Sequence, residues 1–289
     1  MKNLSYNCTI LIPAFNDWQS LNKLLKELNN AYKKISGHID IVIINDGSTQ
    51  KTIISTKGLK KINKVNVINL KKNLGSQIAI GLGLYKIYQR KIKGNILIID
   101  SDGEDNPKKI PELLEALNQN EQKIIVVSRK KRRENFFLRS LNALRLLFTF
   151  IFTGKYLNFG NFSCFKSDFL ESVVKSKSLN LAYCATISNN FEIKKQPLEK
   201  KSRYFGKSKV SFGFLIKYSL RIISIFKHEV LKRSIIIIFI VWMIPNNHFL
   251  FILISLILLL FNLMIFHTNK GGKEIKYFLK FIKNISKVK

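Results

Sequence analysis

Negative charge is scarce in this sequence. Eighteen Asp and Glu stand against 49 Lys and Arg, a formal net charge of +31 over 289 residues. Such an excess points to an anionic partner: nucleic acid, a phosphate-bearing substrate or a membrane face. A Lys-rich proteome would produce part of it without function. Cysteine is also rare. Cys8, Cys164 and Cys184 lie far apart with no C-x-x-C pair, which argues against a disulfide framework or a zinc site and fits a reducing compartment. The four His form no cluster. His228-Glu229 is not a zincin motif, because Lys232 stands where the second His belongs. Gly206-Lys207-Ser208 mimics the end of a P-loop, yet the required earlier Gly is Lys201. No G-x-G-x-x-G follows a strand pattern. Residues 1–7 are polar and show no signal peptide, so the first two-thirds of the chain is expected in the cytoplasm.

What is present is an alternation of strand and helix patterns over the first 130 residues. The runs 9–12, 39–44, 65–70, 96–99 and 124–127 are apolar and β-branched, as strands buried on both faces are. Leu21, Leu24, Leu25 and Leu28 keep helical spacing behind Asn16 and Asp17, which can cap that helix. Pro107 suits the first turn of a helix over 108–117. The rhythm predicts an α/β fold: a mostly parallel sheet with helices on both faces, binding ligands at the carboxyl ends of its strands.

The second half is more apolar. Residues 136–157 suit either a buried helix or one lying on lipid, with Arg side chains reaching the headgroups. Residues 200–211 form a basic loop. Leu220, Ile223, Phe226 and Val230 then predict a juxtamembrane amphipathic helix over 216–233. The apolar runs 234–244 and 249–266, split by Pro245-Asn246-Asn247-His248, predict a transmembrane hairpin over 234–267. Lysines before and after it place both ends in the cytoplasm under the positive-inside rule. The tail 268–289 reads as a second basic amphipathic helix, and 1–215 as a cytoplasmic catalytic domain.

The few acidic residues concentrate where a ligand is expected. Residues 96–106 read I-L-I-I-D-S-D-G-E-D-N, a strand running into carboxylates. Crowded carboxylates repel, and they persist when a cation sits among them. Oxygen ligands at this spacing suit Mg²⁺ or Mn²⁺, which complete their shell with water and substrate phosphates. Asp46-Gly47, after the second strand, suits either contact with a nucleobase or ribose, or an ordinary turn or helix cap. Residues 71–77, K-K-N-L-G-S-Q, are a polar stretch whose lysines face either phosphate or solvent.

Taken in order, I-P-A-F-N-D, N-D-G-S-T, N-L-G and D-S-D-G-E-D-N-P resemble family 2 glycosyltransferases of the GT-A fold. The subgroup resembled is the polyprenyl-phosphate, dolichol-phosphate mannose synthase-like enzymes. Ser128-Arg129 and the loop Arg203-Tyr204-Phe205-Gly206-Lys207-Ser208-Lys209 match that subgroup too. The resemblance implies an inverting transferase. Its donor would be a UDP-, GDP- or dTDP-linked sugar, and its acceptor a polyprenyl phosphate or a hydroxyl of a lipid-linked or surface glycan. It implies that Pro13, Phe15, Asn16 and Asp46 bind the nucleotide, and that Asp100, Asp102 and Glu104 hold the metal. Arg129 would reach the acceptor phosphate, while Arg203 and Lys209 would close over the diphosphate. For a hydroxyl acceptor Asp105 is the candidate base, or alternatively a helix cap. One departure stands out. Where related enzymes have G-x-F-R, this chain has Gly160-Asn161-Phe162-Ser163, and Arg139 or Arg145 would have to supply the charge. The expected setting is the inner face of the cytoplasmic membrane, with no nucleic-acid partner. Hairpins of this kind associate readily, which leaves a homo-oligomer open.

Overall fold

The computed structural model describes residues 7–34, 37–120, 122–129, 136–206 and 212–289. Its centre is an eight-stranded sheet: β1 (Cys8–Ala14), β2 (Ile39–Asn45), β3 (Ile62–Leu70), β4 (Asn95–Ile98), β5 (Ile124–Arg129), β6 (Phe159–Lys166), β7 (Ile193–Leu198) and β8 (Ile282–Lys287). The strands lie in the order β7-β5-β6-β4-β1-β2-β3-β8. β1 pairs in parallel with β2 and β4, β2 with β3, and β5 with β7. β6 runs antiparallel between β4 and β5, and β8 antiparallel to β3.

The five expected strands are all present, and their apolar residues pack into cores on both faces of the sheet. Alternation along β1 shows this directly. Leu11 joins the core against α2 (Ser76–Gln89), while Ile10 and Ile12 join the core against α1 (Trp18–Ala31) and α3 (Ile110–Asn118). β7 and β8 escape a hydrophobic reading because they are edge strands. β7 carries Lys194, Lys195 and Pro197, and β8 carries Lys283 and Lys287. Charge and Pro are tolerated at an edge, where one side needs no ladder partner.

Two expectations about the C-terminal half need correction. Helices α7 (Phe212–Ile225) and α8 (Lys227–Trp242) break at Phe226, so the amphipathic helix does not run through 216–233. Lys232 and Arg233 instead lie inside α8. The tail is not a helix over 268–289 either. It forms a 3-10 segment, Ile275–Phe281, and then β8. Ile275 and Phe278 are drawn into the main core, and Ile282 onward finds an open sheet edge. The catalytic sheet therefore extends beyond residues 1–215.

Between α7 and the tail, α8 and α9 (His248–Asn269) pack as a hairpin, clasped by Asn262 Nδ2 donating to Ser234 Oγ at 2.8 Å. Among the described residues α9 alone is long and apolar enough to cross a membrane. At 1.5 Å per residue, α9 spans about 33 Å and α8 about 24 Å. A separate cluster, Phe152, Ile223, Val230, Leu258 and Ile265, joins this hairpin to α7 and to α4 (Phe136–Thr153). The outer surfaces of α4, α8 and α9 are apolar: Leu144, Leu147, Ile235, Phe239, Ile252 and Leu259 are exposed.

Candidate functional site

The predicted residues meet at the carboxyl ends of β1, β2 and β4. Pro13 lies within β1, buried, in register with Ile44, and Phe15 is half-buried just beyond the strand. Asn16 takes a positive φ of 49° and ties two loops together. Its backbone N–H donates to Ser48 Oγ at 2.9 Å, and its Oδ1 accepts from the N–H groups of Thr49 and Gln50. Asn45, at the end of β2, accepts from the Ser48 N–H at 3.0 Å. The first two strand ends are thus a single hydrogen-bonded unit.

Asp46 has a different surrounding from the open acceptor expected. It is buried, and both carboxylate oxygens accept backbone bonds, from Leu74 N–H at 2.8 Å and Gly75 N–H at 2.9 Å. Burial pushes its carboxyl up to about 6, against the lowering effect of those two bonds. Gly75 is the N-cap of α2, so Asp46 anchors the start of that helix. Gly47 is required for two reasons: its φ is +67°, and a Cβ there would overlap the Lys72 backbone.

The acidic motif follows β4, and each carboxylate is answered. Asp100 accepts from Asn161 Nδ2 at 3.1 Å. Asp102 accepts from Arg203 Nη1 at 3.2 Å, and the other end of the same guanidinium pairs with Asp17. Glu104 pairs with Lys200. Residues 199–206 lie across the motif as a strap, held by Lys201 N–H to the Glu104 carbonyl (2.8 Å) and Tyr204 N–H to the Asp102 carbonyl (2.9 Å). The Tyr204 ring occupies the space where Gly103 has no Cβ. Burial, then the charge of Asp100 and Glu104, raises the Asp102 carboxyl above the ordinary carboxylate range.

A divalent cation between Asp100 and Asp102 fits this chemistry, since it would relieve a repulsion that burial intensifies. The three-carboxylate set is not assembled: among the described residues no group of three acidic, His or Cys side chains converges on one point. Glu104 serves Lys200 instead. Asp105 does not cap the following helix. That task falls to Asn106, whose Oδ1 accepts from Lys108 N–H at 3.1 Å, and Asp105 lines a small cavity with Asp100, Asn161 and Lys200. Asp17 is not the side-chain cap expected of it, because its carboxylate turns to Arg203.

Arg129 is the last residue of β5, in register with Leu198. Lys209 falls outside the described residues. Ser163, where related enzymes have Arg, is fully buried, its hydroxyl 2.8 Å from that of Tyr183. Arg145 bonds Asn142 one turn earlier on α4. Sequence reasoning missed Asp17, Asn161 and Lys200 as partners of the motif. Asn161 stood in a segment singled out only for its missing Arg, and Lys200 in an undistinguished basic run.

Comparison with known proteins bears on family and fold. The model of glycosyl transferase family 2 matches residues 9–176. The chain is 27% identical over 218 residues to an undecaprenyl-phosphate 4-deoxy-4-formamido-L-arabinose transferase of Edwardsiella ictaluri, covering 72% of this chain and 64% of that protein. It is 26% identical over 141 residues to a dodecaprenyl-phosphate galacturonate synthase of Rhizobium johnstonii, covering 47% of this chain and 40% of the other. The chain thus spans less than two thirds of either relative. Glucosyl-3-phosphoglycerate synthase of Mycobacterium tuberculosis, crystallised with Mn²⁺, UDP and its product, superposes with a TM-score of 0.50 at 15% identity, over 79% of this chain and 80% of that one. The shared fold is the expected GT-A arrangement, and the chain belongs to glycosyl transferase family 2.

Proposed function

We propose that this chain transfers a sugar from a nucleotide donor to a polyprenyl phosphate at a membrane surface. The observation that carries the reading is the meeting of Asp102, Asp17 and Arg203 just beyond the ends of β1 and β4, in a chain that also carries exposed apolar helix faces. In the transfer, the bond from the sugar C1 to the donor diphosphate breaks and a bond from C1 to an acceptor oxygen forms, with inversion. The nucleoside diphosphate leaves with added negative charge. Arg203, released from Asp102, would face that charge, and Lys209 is the second cation assigned to it from the sequence. Asp100 and Asp102 would hold Mg²⁺ or Mn²⁺, which when bound would supply further neutralisation of the diphosphate. The Asn16, Asn45 and Ser48 unit, and the loop held by Asp46, would fix the surface against which the nucleotide lies. A phosphate acceptor is already anionic at neutral pH, so it needs positioning, by Arg129, more than a base.

Membrane attachment rests on α9 and on the apolar faces of α4 and α8. In this reading the sheet and both ends of the hairpin are cytoplasmic. The names of the two relatives support the acceptor class.

Ser163 favours a second reading, transfer to a glycan hydroxyl. It leaves the position of the related Arg without charge and buried. Asp105, at the cavity beside Asp100, would then take the hydroxyl proton.

The deciding assay incubates membranes carrying the chain with labelled nucleotide sugars and undecaprenyl phosphate, with and without Mn²⁺. Label should pass to the lipid phosphate and not to undecaprenol. Transfer to a hydroxyl of a lipid-linked glycan, supplied in a parallel incubation, would replace the first reading with the second, and transfer to neither acceptor would remove both.

A further inference from the structure

The turn after α9 is built firmly against the catalytic unit. Asn269 Nδ2 donates to the Ser224 carbonyl (2.8 Å), Asn180 Nδ2 to the Gly271 carbonyl (3.0 Å), and the Lys273 N–H to Asn180 Oδ1 (2.9 Å). The segment Ile275–Phe281 then buries Ile275 and Phe278. Ile275 packs onto Gly81 of α2, where any Cβ would collide with it. With those side chains inside, Lys273, Lys276, Tyr277 and Lys280 are exposed.

The exposed side is crowded with like charge. The ammonium groups of Lys273 and Lys280 lie 4.4 Å and 4.2 Å from the centre of the Tyr277 ring. Those of Lys72 and Lys280 lie 4.9 Å and 5.5 Å from the centre of the Phe281 ring. A hydrogen bond from Lys280, then the charges of Lys273 and Lys280, hold the Tyr277 hydroxyl below its usual range. The one acidic residue of the turn, Glu274, pairs with Lys276 at 2.8 Å. Among the described residues no ion pair joins Lys72, Lys273 or Lys280 to a carboxylate. Three ammonium groups around two rings form a surface short of an anion.

We propose that Lys72, Lys273, Lys280 and Tyr277 dock the phosphate headgroup of an anionic membrane lipid and so fix how the catalytic unit sits on the bilayer. The proposal rests on the membrane reading above. Position selects the lipid over other anions. Tyr277 follows the end of α9 closely, on a pinned turn, so it emerges where a crossing helix leaves the bilayer. Tyr and Lys collect at that level because a ring and a cation match its half-wet chemistry. The contact also reaches the donor side. Lys72 belongs to the loop whose Leu74 and Gly75 amides hold Asp46.

The test places the full chain in nanodiscs of phosphatidylcholine, with or without phosphatidylglycerol. Lysine acylation is followed by peptide mass spectrometry, with exposed Lys57, before β3, as control. Phosphatidylglycerol should slow Lys273 and Lys280 by about fivefold or more, as each lysine near an anionic surface gains that much, and leave Lys57 unchanged. UDP or inorganic phosphate in neutral discs should protect neither. The K273Q/K280Q double variant should insert into discs and retain fewer phosphatidylglycerol molecules in native mass spectrometry. Equal rates in the two discs, protection by UDP or phosphate in neutral discs, or unchanged lipid retention by the double variant would each overturn the proposal. A chain that fails to enter discs would instead count against the membrane reading itself.

Discussion

Asp46, buried, and Asp102, half-buried, are carboxylates just beyond strand ends, and desolvation holds both above the ordinary range. They differ in what answers them. Asp46 is met by two backbone N–H groups that are part of the fold. Asp102 is met by a guanidinium on a strap, shared with Asp17. A backbone partner cannot leave without unfolding the start of α2. A side-chain cation on a loop can be exchanged for another cation. The first carboxylate is therefore fixed architecture, and the second is a place where charge is traded.

Three changes break or sharpen that contrast. The largest effect is expected for Asp102→Asn, which should lower transfer by about 10³-fold, the scale for losing a preorganised charge contact. Its thermal midpoint and membrane attachment should stay close to wild type. A comparable loss of folding would make Asp102 architecture as well. Arg203→Gln should lower transfer by about 10²-fold. Because it removes the competing cation, it should also tighten Mn²⁺ binding, read by electron paramagnetic resonance. Weaker Mn²⁺ binding would show that Arg203 assembles the site rather than occupying it.

Asp46→Asn should act on stability, costing about 1–3 kcal/mol at pH 7 by leaving one backbone donor without its acceptor. The pH dependence follows from the raised carboxyl. Folding takes up a proton between the ordinary value of 3.8 and about 6. This stabilisation is complete below the lower value and is lost as pH rises through the upper one. The stability gap between wild type and D46N should therefore widen as pH falls from about 7 to 5, as measured by thermal unfolding of both proteins. A narrowing gap would mean that the two N–H bonds outweigh burial.

Much of the sheet was legible because strands covered on both faces are dominated by apolar residues, as 41–44 and 96–99 are. The edge strands were not, since Lys194, Pro197 and Lys283 obey the rules of an exposed margin. The tail misled for a related reason. Ile275, Phe278, Leu279 and Ile282 fit a helical stripe, yet the open edge of β3 offered the chain a ladder that local periodicity cannot register. At the site, the acidic motif announced itself through spacing. Its partners did not, because Asp17, Asn161 and Lys200 come from distant segments that only the topology brings together.

β8 returns to the sheet after the apolar hairpin has left it, so α8 and α9 are an excursion from the catalytic unit with both ends moored. The moorings are neighbours, because Asn269 reaches the Ser224 carbonyl. A chain cut short after residue 215 would forfeit an edge of its sheet along with its anchor. Joining the two moorings with a brief linker would remove the greasy excursion and leave the whole sheet, tail included, in one piece.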